Sequence, residues 1–517
     1  MSISKDKSKE LKIGLILNYA AIGIGLVGSL LLNPIIIKYL GQSEYGLYET
    51  IGALVNNLAI LDLGFSSVIV RFTAKYELEG DLKRRDEFLY TARRIYQILA
   101  VIILALGAIL FLFIDTIFGK SFTSVELEKA HILFLLALGT TAISIYGQIY
   151  IGALSGVEKF IIPRVIRIAK TIFGKLTCIA ILMLGADSVG YTATLFLFEI
   201  IGFFVNNFYA KKAVGFSKCK IQLAEVKELL VFTGFLFIQA IAATLYWTVN
   251  KLILGALMGT AVVAVYSISL NLHNIVENVS VSVRDVLLPK ATRFAVTDGG
   301  EKQIQSFMTK AGRLILMVYG LLFAGLIVVG EEFIYLWLGP DYLGAYGIFL
   351  VLGATSLLPS ILTIGETVCR AFNKHQFLSY AYLVAAFINI AFTVVLVKFF
   401  GMYGAAVASG IGLVSVYTIV RLIYFKKTFD LHIFKYFKDT FSGIIWSLIS
   451  TIVFGYVIKY FWTDYSWFSL VIQSCIMGGV FIITMLIFGL NKEEKNMFLN
   501  IMKAIKSKLI KKSNLSK

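Results

Sequence analysis

The sequence predicts an all-α integral membrane protein of fourteen transmembrane helices with both termini on the cytoplasmic side. Three observations predict it. First, 58% of the 517 residues are hydrophobic and the mean hydropathy is +0.83, with only five prolines. Second, apolar runs of about 20 residues recur from end to end, each long enough to cross a ~30 Å hydrocarbon layer. Third, about 40 of the 48 Lys and Arg residues fall in alternate connections and the two tails, which is the positive-inside pattern. A large soluble helical protein would need wide charged helix faces, and these are absent.

The net charge of +17 therefore reports topology, and attraction to anionic membrane lipid follows from it. Nucleic acid is not an expected partner. Cys178, Cys219, Cys369 and Cys475 are far apart, no CxxC occurs, and four His show no metal spacing. No metal and no cofactor is expected, with coupling to a proton or sodium gradient left open. Residues 1–10 are polar and Lys-rich. The first apolar run is too long for a signal-peptide core and lacks a cleavage site, so it is expected to stay as span 1.

Span 1 covers about 11–38, with Gly14, Asn18, Gly25 and Ser29 on one face. A hairpin at 40–46 turns the chain into span 2, about 47–73. At 100° per residue Glu49, Gly52, Asn56, Ser67 and roughly Arg71 share one side of it. Hydrocarbon gives no partners to such a stripe, so span 2 must face protein or water at membrane depth. Spans 3 (about 88–114) and 4 (about 130–153) follow. Span 5, about 161–184, aligns Arg164, Arg167, Thr171, Lys175 and Cys178. Span 6, about 188–210, aligns Thr192, Glu199 and Asn206.

Span 7, about 229–255, puts Thr244, Thr248 and Lys251 on one side, beside Tyr246 and Trp247. Span 8, about 260–286, carries His273, Glu277, Ser280 and Arg284. Span 9 is about 312–330. Span 10, about 345–369, aligns Ser356, Thr363, Glu366 and Arg370. Spans 11 (378–398), 12 (402–425), 13 (440–461) and 14 (466–490) are almost free of internal charge and read as lipid-facing or structural. Residues 491–517 alternate Lys with apolar residues and read as an amphipathic cytoplasmic surface helix.

Asn33–Tyr48 and Asn250–Tyr266 match weakly at an offset of 218, aligning Gly41 with Gly259 and Tyr48 with Tyr266. Such a repeat makes two six-helix lobes related by an axis along the membrane normal. The division is then 1–217 for the N-lobe, 218–430 for the C-lobe, and 431–517 for spans 13, 14 and the tail.

Several motifs carry a family likeness. They are Tyr39-Leu40-Gly41, Tyr45-Gly46-Leu47-Tyr48, Leu61-Asp62-Leu63-Gly64 and Arg71-Phe72 in the first half. In the second half they are Leu252-Ile253-Leu254-Gly255, Val265-Tyr266, Leu288-Pro289 and Phe400-Gly401-Met402-Tyr403-Gly404. In this order the chain resembles bacterial polysaccharide (O-antigen type) flippases of the multidrug/oligosaccharidyl-lipid/polysaccharide exporter superfamily. The resemblance implies two lobes around a central cavity, alternating access, and passage of an undecaprenyl-pyrophosphate-linked oligosaccharide across the cytoplasmic membrane for O-antigen or capsule synthesis. It implies a polysaccharide polymerase and glycosyltransferases as partners. Two departures stand out. Span 1 carries no arginine, unlike lipid II flippases, which disfavours that substrate, and Asn250 stands where many relatives carry Asp.

Read from the residues alone, the expected binding groups of one central cavity are Arg71, Arg167, Lys175, Lys251, Arg284, Asn56 and Trp247. Their charge partners or ion-coupling groups are Glu49, Glu199, His273, Glu277 and Glu366. The cation surplus suits an anionic pyrophosphate. Structural readings compete. Arg164, Arg284 and Arg370 serve equally as boundary markers, and Trp247 as an interface anchor. His273 with Glu277 forms either a structural pair or a proton relay, and Lys175 with Glu199 a buried ion pair. Two other functions compete with flipping. An organic-cation exporter of the same superfamily would want an acidic or aromatic site. A membrane polymerase or ligase would want a large outer loop and a nucleophile–base arrangement, and the sequence has neither.

Overall fold

The structure is a computed structural model that describes residues 5–62, 65–217, 223–297, 303–462, 464–492 and 494–496. Among the described residues the regular secondary structure is all helical, and ten stretches are long and apolar enough to cross a membrane. The chain is thus a multi-pass membrane protein. It divides into two compact units, residues 1–270 with 376–412, and residues 271–375 with 413–517. The Lys-rich residues 497–517, Leu63-Gly64 of the family motif, and the side chains of Gly14 and Asn18 lie outside what is described.

In the first unit, α1 (Lys5–Asn56) is parted at Gly41, whose φ of 77° and ψ of 169° an L side chain resists. The break falls inside the stretch 40–46 predicted to turn the chain. Sequence periodicity predicts one continuous helix over 47–73, and the structure corrects it. After Asn56 the chain tightens into a 3₁₀ turn, Asn57–Asp62, before α2 (Phe65–Glu79). The side chains explain the break. Asn57 Nδ2 donates to the Ala53 carbonyl at 2.8 Å, and Asp62 accepts from the Tyr96 hydroxyl at 3.0 Å. Asn57, which bonds the local backbone, competes with the helical ladder, while the bond to Tyr96 ties the end of the turn to a distant part of the chain.

Four long helices and one short one then build the unit's body. α3 (Leu82–Phe111) starts at an Asp81 cap, whose carboxylate accepts from Arg84 N. The short α4 (Ile114–Phe118) precedes α5 (Ser124–Gly156), which opens with a capping box of Thr123 and Glu126. α6 (Ile161–Met183) and α7 (Ser188–Ala213) pack with α5. α8 (Leu223–Met258) and the first part of α9 (Thr260–Val296) complete it with α13 (Gln376–Val414). α13 is parted at Gly401 (φ 55°), and a Cβ on Gly404 would lie 2.3 Å from the Leu396 carbonyl. Residues eight apart meet in this way only where the chain doubles back, as the sequence predicts here.

The second unit takes the rest of α9, then α10 (Ile304–Leu338), α11 (Gly344–Ile361) and α12 (Thr363–Ala371). The predicted span 10 is a single helix, whereas the structure divides it at Leu362, just past Pro359, which cannot donate to the ladder. A π-helical turn, Ser415–Val420, leads into α14 (Arg421–Phe429). Next come α15 (Ile433–Phe441), α16 (Ile444–Phe461) and α17 (Trp467–Thr484). Of the long helices, α6 and α9 are too rich in polar and charged residues to count among the ten apolar stretches.

Candidate functional site

Two polar cavities are cut into the first unit. One, of about 380 Å³, lies among α1, α5, α7 and α8. Glu49 and Lys251 meet there with Oε2 and Nζ 2.6 Å apart, both side chains less than one-fifth exposed. Gly52, Asn56, Thr140, Thr141, Thr192 and Thr248 complete the wall. Thr248 Oγ1 lies 2.7 Å from Asn57 Oδ1, which ties α8 to the turn below Asn56. The predicted stripes on spans 2 and 7 therefore converge, and the structure brings Glu49, Asn56 and Lys251 together. Their charges cancel.

The second cavity, of about 470 Å³, lies among α5, α6 and α7. Arg164, Arg167, Lys170 and Thr171 line it from α6, Glu199 and Asn206 from α7, and Ser144, Gln148 and Ser155 from α5. Three cations face one acid. Arg164 is steadied by the Phe160 carbonyl at 3.0 Å and by the Phe160 ring beneath its guanidinium. The expected Lys175–Glu199 pair is corrected here. Glu199 Oε2 pairs with Lys170 Nζ at 2.5 Å, and Lys175 Nζ donates to Ser29 Oγ on α1 at 3.1 Å. Lys175 stands 140° around α6 from Lys170 and about 7.5 Å along it, so one carboxylate cannot serve both. Sequence reasoning missed Lys170, although it lies only 60° from Arg167 on the same face.

Other sequence-predicted residues lie elsewhere. Arg71 is exposed on α2. Trp247 stacks edge-on against Tyr246, with ring centres 5.2 Å apart. Tyr246 itself is buried, and its hydroxyl donates to the Ser409 carbonyl. Asn250 is buried within a neutral cage. Its amide nitrogen donates to Tyr266 Oη (3.0 Å) and Ser409 Oγ (2.8 Å), and its oxygen accepts from Thr393 Oγ1 (3.0 Å).

In the second unit His273 is buried on α9, one turn before Glu277, which accepts from Ser360 Oγ at 2.5 Å. Glu366 pairs with Arg421 Nη2 at 2.5 Å, while Arg421 Nη1 donates to the Pro359 carbonyl at 3.0 Å. Arg284 lies 3.3 Å from its neighbour Asp285. Sequence reasoning missed Arg421, because it closes a span read as almost uncharged. Only 3% of its side chain is exposed. The signal was a lone guanidinium following an apolar run, with the unmatched Glu366 upstream.

Membrane-spanning helices that hold ionised side chains around polar cavities define a polytopic transport-type membrane protein. The chain belongs to the polysaccharide biosynthesis protein family, whose model matches residues 14–295. A provisionally named O-antigen transporter of Shigella flexneri is 22% identical over 404 residues, covering 74% of this chain and 90% of its own. A provisionally named low-salt glycan biosynthesis flippase of Haloferax volcanii is 21% identical over 272 residues, and that match covers 52% of this chain and 56% of the relative's length. Among solved structures, the lipid II flippase MurJ in an inward closed conformation shares the fold with a TM-score of 0.72 at 17% identity, covering 91% of this chain and 98% of that one. An inward-facing multidrug transporter of the MATE family follows at 0.59 and 14% identity, over 75% and 94% of the two chains. The family resemblance carried by the sequence motifs is borne out.

Proposed function

We propose that this protein is a flippase that carries an undecaprenyl-pyrophosphate-linked oligosaccharide across the cytoplasmic membrane for surface polysaccharide synthesis. Family membership supports the reading, and so do the relatives named for glycan flipping and O-antigen transport. The observation that carries it is the second cavity. Arg164, Arg167 and Lys170 face a single carboxylate, Glu199, on helices embedded in a multi-pass membrane protein. Arginine grips phosphate oxygens in pairs and lysine adds a mobile point charge, so the cavity suits a pyrophosphate and repels an organic cation. The polar wall of Ser144, Gln148, Ser155 and Asn206 offers partners to sugar hydroxyls. The lipid tail stays in the bilayer.

The full layout belongs to the same proposal. Fourteen spans with both termini inside form two six-helix lobes, 1–217 and 218–430, followed by an added segment, 431–517. Transport proceeds by alternating access, and the product passes to a polysaccharide polymerase. The test is flipping of a fluorescent pyrophosphate-linked oligosaccharide in proteoliposomes. The charge reversals Arg167→Glu and Lys170→Glu, each with normal protein levels, are expected to abolish it. Normal flipping in both variants removes the cavity from the transport path. Uptake of organic cations by the same vesicles, with no oligosaccharide flipping, overturns the function.

A further inference from the structure

The second unit contains a third polar cavity, of about 690 Å³, at the N-terminal end of α10. It is lined by Ser306, Thr309, Lys310 and Arg313 from α10, Lys435 and Asp439 from α15, and Lys492 beyond α17. Arg313 is its frame. The guanidinium is nearly buried, and all five of its N–H groups are engaged. Nε and Nη2 hold the Glu494 carboxylate at 2.7 and 2.8 Å. Nη1 donates to the Asp439 and Ser442 carbonyls, and Nη2 also to the Gly489 carbonyl. An arginine with every donor spent binds no ligand. It ties α10 to the end of α15 and to the chain leaving α17. With Arg313 and Glu494 paired, the other ionisable residues among the described lining are Lys310, Lys435 and Lys492 and one acid, Asp439.

The surroundings say what fills this basic hollow. Phe434, next to Lys435, is 83% exposed. Trp446, four residues past Ser442, is 63% exposed, and Ile487 and Phe488, just before Asn491, are 59% and 60% exposed. Large apolar side chains open to the outside at the charged end of membrane-spanning helices mark the lipid interface. A cationic pocket bordered by such a band suits a molecule with an anionic phosphate and an apolar tail. We propose that this cavity binds the phosphate headgroup of an anionic phospholipid, with Lys310, Lys435 and Lys492 around the phosphate and Ser306 and Thr309 as hydroxyl donors. Its acyl chains run along α16 and α17. The site lies in the second unit, shares no lining residue with either cavity of the first, and does not rest on the transported substrate.

The experiment uses the full chain in nanodiscs and detergent, with the Lys310→Gln, Lys435→Gln, Lys492→Gln triple variant. Lipid retention is read by native mass spectrometry and thermal stability by scanning, with phosphatidylglycerol, phosphatidylcholine and inorganic phosphate as separate arms. Phosphatidylglycerol is expected to be retained and to stabilise the native chain. In the triple variant its retention should fall on the order of tenfold, with the phosphatidylcholine arm unchanged. Equal retention of both lipids, or an unchanged triple variant, overturns the proposal. Protection by inorganic phosphate alone, equal to that by phosphatidylglycerol, overturns the lipid assignment in favour of a free-anion site. Should the triple variant fail to fold, Lys435→Gln, on the exposed side of α15, carries the same titration.

Discussion

The two cavities of the first unit are built from overlapping helices and opposite electrostatic logic. In the first, Glu49 and Lys251 arrive from α1 and α8 and cancel each other at 2.6 Å. In the second, Glu199 takes up Lys170 and leaves Arg164 and Arg167 on the same wall. A neutral pair at membrane depth fastens helices, because separating it strands a charge in a poorly solvated place. A cluster with surplus charge does not improve packing; it is useful only when something anionic arrives to complete it. Under the function proposed above, the first cavity serves as a structural joint and the second as the binding site.

Substitutions can break that contrast. The largest effect is expected at the joint. Glu49→Gln leaves Lys251 without its counter-charge and should cost about 3 kcal/mol or more of stability, read as a lowered Tm in detergent. The exchange Glu49→Lys with Lys251→Glu should recover most of the loss. A joint that tolerates Glu49→Gln with no change in Tm, yet loses transport, belongs among the binding groups. The next effect is expected in the second cavity and in the opposite assay. Arg167→Gln removes one charge-assisted contact and should slow flipping by roughly 10- to 100-fold, about 1.5–3 kcal/mol, while Tm barely moves. A variant that unfolds instead would make the second cavity a joint as well.

How much of this could be read from the chain divides along a physical line. Periodicity carries angular information, so the stripe Glu49–Gly52–Asn56 and the stripe Thr244–Thr248–Lys251 were each legible, and their convergence holds. Glycines at hairpins were legible because Gly41 and Gly401 need backbone angles that other residues resist. Periodicity carries no information on which neighbour a long side chain chooses. Lys170 and Lys175 flank Arg167 on a helical wheel, 60° to one side and 80° to the other, and the wheel alone does not say which of them reaches Glu199. The sequence reading gathers every buried charge into one chamber, whereas within the first unit Glu49 and Glu199 line separate cavities. Local side-chain competition with the backbone was equally invisible, which is why the 3₁₀ turn at Asn57–Asp62 interrupts a helix predicted as continuous. Arg421 escaped because its partner Glu366 lies 55 residues away, beyond any local pattern.

A smaller effect tests the joint principle in the second unit, outside the spans. Burial works to raise the Glu494 carboxyl, but the paired contacts from Arg313 and the Asn491 amide outweigh it and hold the group below its ordinary value of 4.5. An acid with a lowered folded value contributes stability that is fully present above the ordinary value. That contribution is lost as the pH falls below 4.5 and through the folded value. Tm measured across that range should therefore fall more steeply for the native chain than for Glu494→Gln, which has no carboxyl to protonate. Parallel curves would detach Glu494 from the Arg313 clasp.

The smallest effect is expected at Lys175, and it sharpens the contrast most closely, because Lys175 shares a helix with the second cavity and sits outside it. Its ammonium donates to a neutral hydroxyl, Ser29 Oγ, and Ser29 donates in turn to the Gly25 carbonyl. A single bond from an ionised donor contributes about 1.5–3 kcal/mol. Lys175→Gln keeps a donor of shorter reach, so its cost should lie at the low end of that range, with flipping near normal. Lys170→Gln in the same assay should slow flipping and leave Glu199 unpaired. The two lysines are five residues apart on α6, so any effect of lysine removal on the helix itself is common to both. A loss of flipping at Lys175 equal to that at Lys170 would mean that the substrate contacts the whole α6 face and that the cavity walls do not bound the binding site.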